Sequence, residues 1–125
     1  MATKNAVVSY NTVTQDGSAK LVTWASLANG DDGAWLQLPE FGDRCVQVSG
    51  TFGVGGTVVF EGTNDTAIAG VTLNNAQSGP LSLTAVGVKQ VVEIPLFVRP
   101  RVTAGDGTTA LIVSILARRA NPMRT

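Results

Sequence analysis

The chain has 125 residues, 44% of them hydrophobic and only 14% charged, with 14 glycines, a composition that argues against disorder and for one β-rich domain burying roughly two thirds of its unfolded surface. Nine Lys and Arg balance nine Asp and Glu, so there is no general pull towards nucleic acid or anionic lipid. Histidine is absent and Cys45 is the only cysteine, which removes the commonest general base, the Ser-His and Cys-His nucleophile pairs, the usual zinc sites and any internal disulfide.

The first residues, MATKNAVVSYNTVTQ, contain neither a long apolar core nor a small-residue cleavage pattern, so neither a signal peptide nor a membrane span is expected. Ala6 to Thr14 carries Val7, Val8, Tyr10, Thr12 and Val13, a set with high strand propensity. Asp16-Gly17 marks a turn, Leu21 to Trp24 a short strand, and Trp24 to Ala28 could add one helical turn. The NGDDG segment at Asn29 to Gly33 has a superficial look of a calcium loop but lacks the alternating ligands and distal bidentate Glu, so it reads as a solvated turn. Trp35, Leu36 and Leu38 follow, then the punctuation of Pro39 and Gly42.

From Arg44 to Glu61 two alternating apolar runs flank the glycine-rich FGVGG. Val46, Val48, Gly50 and Phe52 share one face of the first, and Val58 and Phe60 one face of the second, which predicts a β-hairpin. The glycine loop precedes a β-branched run rather than a helix and has no lysine, so it is not a phosphate cradle. Asn64-Asp65-Thr66 is formally a glycosylation sequon but reads as turn chemistry. Ala67 to Leu73 is a weaker apolar run, Asn74 to Pro80 a loop, and Leu81 to Leu83 a short strand.

Val86 to Leu96 alternates again, and Pro95 and Pro100 place this part of the chain at a sheet edge or a bend. After an extended Phe97 to Thr103, Gly105-Asp106-Gly107 predicts a second hairpin turn and Ala110 to Ala117 the last strand. Leu111, Val113 and Ile115 point one way along it and Ile112 and Leu116 the other, so a loop or a partner subunit is expected to cover the second face. With turn signals about every 8 to 12 residues and no sustained helical period, the expected fold is all-β, an antiparallel β-sandwich, jelly-roll-like. One domain over 1–125 is expected, with 1–5 and 119–125 flexible or arm-like.

No constellation supports catalysis. The carboxylates Asp31, Asp32, Asp43, Glu61 and Asp106 fall in turns or on strand faces that read as exposed, so carboxylate-pair chemistry is not expected, and no catalytic, metal or cofactor residue is assigned. Cys45 at a strand start reads as a small hydrophobe rather than a reactive thiol. Acidic residues concentrate in the first half and Arg99, Arg101, Arg118, Arg119 and Arg124 near the end; these charges suit a solvated surface or salt bridges between subunits. Trp24 and Trp35 suit packing or an interface, with sugar stacking as the competing reading. The candidate interface residues are therefore Trp24, Trp35, Arg99, Arg101, Ile112, Leu116, Arg118 and Arg119.

Two segments, VQVSGTFGVGGTVVFEGTND and FVRPRVTAGDGTTALIVSILARR, covering about a third of the chain, resemble the capsid cement (decoration) proteins of tailed bacteriophages. Thr66 to Leu96 matches only loosely, and the tryptophan that often follows the ND turn is missing. The resemblance implies a β-sandwich or jelly roll that docks as a dimer or trimer on the outside of an icosahedral head. Its partners would be the major capsid protein and itself, with no nucleic acid, membrane or cofactor. It would be made in the bacterial cytoplasm and reside on the virion exterior. A tail or head-completion component, or a carbohydrate-binding module, is the alternative.

Overall fold

A computed structural model describes residues 2–10, 19–38 and 41–119. Among them, twelve strands and no helix form two sheets that pack face to face. The larger sheet holds β1 (Thr3–Lys4), β4 (Asp32–Gly33), β11 (Phe97–Ala104), β7 (Thr57–Thr63) and β8 (Val71–Thr72) in that order, with β5 (Leu36–Gln37) also on β11 and β9 (Ser82–Leu83) also on β7. The smaller sheet runs β10 (Gly87–Val91), β6 (Asp43–Thr51), β12 (Ala110–Arg118), β3 (Ala19–Leu27), β2 (Ala6–Tyr10). Pairing is antiparallel except between β1 and β4. The all-β sandwich expected from the alternation is the observed architecture.

The core follows from the period of two. Val22, Trp24 and Leu27 of β3, Val46 and Val48 of β6, and Leu111, Val113 and Ile115 of β12 face Val58 and Phe60 of β7 and Val98 and Val102 of β11, all buried. Trp24 meets Phe60 edge-on at 6.3 Å between centroids and donates its indole N–H to the Ala34 carbonyl. Gly33 makes room for this ring, since a Cβ there would lie 2.7 Å from Trp24 Cδ1 and 2.6 Å from Pro100 Cδ. The helical turn considered for Trp24 to Ala28 is instead the end of β3, where Ser26 takes a left-handed φ of 59° and the register on β12 shifts between Leu111 and Val113.

Neither expected hairpin forms. β6 lies in the smaller sheet and β7 in the larger, and β11 and β12 are divided the same way. The glycine-rich loop and the Gly105–Gly107 loop are therefore corners that carry the chain from one layer to the other, about 10 Å apart, rather than turns between neighbours about 4.8 Å apart. Alternation fixed which side chains point inward and left the choice of neighbour open. Pro95 does mark a bend, since β10 and β11 belong to different sheets. Pro100 instead sits within β11, paired with Phe60 on one side; on the other it falls between the short partners β5, at Phe97–Val98, and β4, at Arg101.

The strand covered on both faces is β7, not β12. Val59, Glu61 and Thr63, on the side away from the core, are buried along with Val58 and Phe60. On β12 the outward Ile112 is 42% exposed and Leu116 is half-buried. At the N-terminal end, residues 2–4 are docked: Asp32 N–H donates to Ala2 O at 3.0 Å and Ala34 N–H to Lys4 O at 2.7 Å, alongside the β1–β4 pairing.

Candidate functional site

The outer face of the larger sheet is built by register. Arg99 pairs with Glu61, and Arg101 with Asp32, so residues two apart on β11 present their guanidinium groups to carboxylates on the flanking strands. Glu61 is only 1% exposed, and both its oxygens are taken: Arg99 Nε reaches Oε1 at 2.7 Å and Arg101 Nε reaches Oε2 at 3.2 Å. Arg99 Nη1 also lies 3.3 Å from Asp32 Oδ2, and its guanidinium stacks 4.2 Å from the centre of the Trp35 ring. A cleft of about 180 Å³ between Gly70, Arg99 and Arg101 opens over this group.

Asp32 and Glu61 of the acidic first half are thus paired within the chain with Arg99 and Arg101 of the basic second half, which were expected to be solvated or to bridge subunits. Trp35 serves as a platform for Arg99, and Trp24 is wholly inside the core, so the two tryptophans form no paired sugar-stacking surface and Trp24 offers nothing to a partner in this fold. Arg118 and Arg119 are exposed near the end of β12, with Arg119 over the Phe41 ring at 5.4 Å.

The NGDDG segment is not a solvated turn. Asp31 and Asp32 are buried and clamp the N-terminal strand: Asp31 Oδ1 accepts the Ala2 amide at 2.9 Å, Oδ2 accepts the Ala28 amide at 2.9 Å and meets Lys4 Nζ at 3.8 Å, and Asp32 Oδ1 accepts the Thr3 hydroxyl at 2.8 Å. Burial alone would raise the Asp31 pKa, but the Ala28 and Ala2 amides and Lys4 outweigh it and the net shift is downward.

Arg44 is a charged residue at an inward position of β6, a signal that the alternation of the sequence itself carries. It shares the inward phase of Val46 and Val48, is buried, and donates to the carbonyls of Phe41 at 2.8 Å, Leu38, and Pro95 at 3.5 Å. Desolvation lowers its pKa. Its guanidinium straps Leu38, Phe41 and the β10–β11 bend to the start of β6. Cys45, the next residue, is half-buried on the outward face, and desolvation pushes its thiol pKa up, which disfavours the reactive thiolate.

The outer face of the smaller sheet has a different character. One row across all five strands reads Val88, Gln47, Ser114, Thr23, Val7. The next reads Gln90, Cys45, Leu116, Leu21. Neither row contains a charge, and Val7, Leu21, Val88 and Ile112 are exposed on this side. Asp43 and Arg118, register partners of opposite charge, stand together at one end.

Among the described residues no group of three or more His, Cys, Asp or Glu is placed to hold a metal, and no helix is long and apolar enough to cross a membrane. No protein-family model matches the chain, and no curated protein matches it. Among solved structures, the chain is similar to the SPBc2 prophage-derived protein YomS, with a TM-score of 0.59 and 13% identity over 79% of this chain and 93% of that one. It also overlaps Peruvianin-I, a cysteine peptidase from Thevetia peruviana latex, at a TM-score of 0.46 and 14% identity, covering 94% of this chain and 63% of that one. A third overlap, with IMPa from Pseudomonas aeruginosa, has a TM-score of 0.42 and 9% identity, covering 85% and 13%. The first supports the sandwich fold; the other two carry no argument.

Proposed function

We propose that this chain is a non-catalytic structural protein of a bacteriophage particle, and that within the particle it is a cement protein on the outside of the icosahedral head. The observation that carries the phage reading is the overlap with YomS, a prophage-derived protein, over 93% of that chain. The finer assignment to the head is supported by the two motif segments, which form β6, β7, β11 and β12 and meet at the bonded corners on one end of the sandwich.

A cement protein works by adding contact area across seams between copies of the major capsid protein. It needs rigid, extended surfaces more than a pocket. Two layers locked by a shared core, side-chain-bonded corners and an internally neutralised charge cluster supply that rigidity. In this role the chain is made in the bacterial cytoplasm, resides on the capsid exterior and requires no cofactor, metal, nucleic acid or membrane.

The test is co-sedimentation of the purified chain with DNA-free heads before and after expansion, and with isolated tails. Saturable binding to expanded heads, with a rise in the temperature at which they disrupt, is the expected result. Binding to tails alone would replace the head assignment with a tail component. Binding to neither would overturn the proposal.

A further inference from the structure

We propose that the outer face of the smaller sheet is the contact surface between two copies of this chain, packed sheet to sheet about a two-fold axis. This rests on the surface itself and not on the assignment to the head. A sheet face that meets only water normally alternates apolar-in with charged or polar-out. Here the outward positions of the three long strands and both flanking strands include Val7, Leu21, Val88 and Ile112, exposed at 65, 39, 56 and 42% respectively. Between them lie small or uncharged side chains such as Thr23, Ser114 and Gln47.

Charge identifies the occupant. The chain carries nine basic and nine acidic residues, yet the two full rows across this face carry none, and the charges at its end, Asp43 and Arg118, sit on paired positions and cancel. In a two-fold contact each residue meets the same surface it belongs to, so a face with excess charge of one sign would repel itself. This face carries no such excess. The outer face of the larger sheet, by contrast, uses its charges internally around Glu61.

The area is sufficient. Three strands of nine residues and two of five, at about 3.3 Å per residue and 4.8 Å between strands, project roughly 600 Å² per copy. Two copies reach about 1,200 Å², the lower bound of standard stable interfaces. A hollow lined by Cys45, Gln90, Leu116 and Arg118 at one end gives the flat contact relief into which a partner side chain can fit.

The test is the mass of the purified wild-type chain by light scattering and sedimentation equilibrium at tens of micromolar, compared with Ile112→Asp, Val88→Asp and the control Ile68→Asp. Ile112 and Val88 are exposed in the isolated chain, so their variants should fold, which circular dichroism and melting will check. A dimer is expected for wild type and for Ile68→Asp. Each interface substitution occurs twice in a two-fold contact and is expected to weaken dimerisation by roughly a hundredfold. A wild-type monomer or trimer overturns the proposal, as does a folded Ile112→Asp variant that remains dimeric. A monomeric wild type whose Ile112→Asp variant loses binding to heads would assign the face to the shell and also overturn it. A dimeric wild type that does not bind heads would count against the cement reading alone.

Discussion

The carboxylate of Asp106 accepts the backbone amide of Val54 across 52 residues of sequence, at 2.9 Å, and so joins two of the corners at which the chain passes between sheets. The same carboxylate accepts the amide and hydroxyl of Thr108 at 2.8 and 2.6 Å, while Thr109 Oγ1 donates to Phe52 O at 2.8 Å and accepts the Asp106 amide at 2.9 Å. Two glycine-rich segments that resemble separate hairpin turns in sequence are one bonded unit in space.

That unit titrates. Bonds from Thr108 and Val54 hold the Asp106 carboxyl at about 2, below its ordinary 3.8. A depressed folded pKa means the contribution is whole above pH 4 and is lost as pH falls towards 2. The melting temperature of Asp106→Asn should therefore lie below wild type at pH 6, with the gap closing between pH 4 and pH 2. A gap that does not change with pH would mean the carboxylate charge is not what holds the corners.

Gly53 sits inside the same unit with φ of +71°, and a Cβ there would fall 2.3 Å from Asp106 Oδ1. Gly53→Ala should cost about 2 kcal/mol in chemical denaturation, from the left-handed backbone and the displaced carboxylate together. Gly55→Ala has the same φ but open space around it, so its cost should be about 1 kcal/mol.

Glu61 and its two arginines should respond unequally. Glu61→Gln removes a buried charge facing two cations and should cost about 2–4 kcal/mol. Arg101→Ala removes a partner whose side chain is 46% exposed, and should cost about 1 kcal/mol or less. Arg99→Ala should fall between them, since it also loses the Trp35 stack and the Asp32 contact. Urea titrations of the three variants give the order directly.

Arg44→Met keeps the apolar stem but leaves the carbonyls of Leu38, Phe41 and Pro95 without their donor. A loss of about 2–4 kcal/mol is expected, and hydrogen exchange should quicken first around residue 41 and the β10–β11 bend. Exchange that quickens uniformly would show that Arg44 acts on the whole fold and not as a local strap.

The strands were legible because their alternation is strong: β6, β11 and β12 were placed to within a residue or two, and the inward set Val46, Val48, Val58, Phe60, Leu111, Val113 and Ile115 is the observed core. Partnership was not legible. A five-residue glycine-rich loop serves a hairpin or a corner equally well, and only long-range pairing, β6 with β12 and β7 with β11, decides. Glu61 looked exposed because its phase is outward; its cover comes from Arg99 and Arg101, 38 and 40 residues away. Asp31 and Asp32 looked like turn residues for the same reason, since the strand they clamp lies 29 residues earlier. The apolar outward residues of β12 led to the expectation of a cover by a loop or a partner; within the described chain no loop lies over Ile112, which is 42% exposed.

The most direct measurement is the copy number of this chain in intact particles of the phage that encodes it, by quantitative mass spectrometry against the major capsid protein. A head cement should be present on the order of hundreds of copies, in a fixed ratio to capsomers set by the shell's symmetry, and should stay with heads when tails are removed. A few copies per particle travelling with tails, or none, would contradict the proposal.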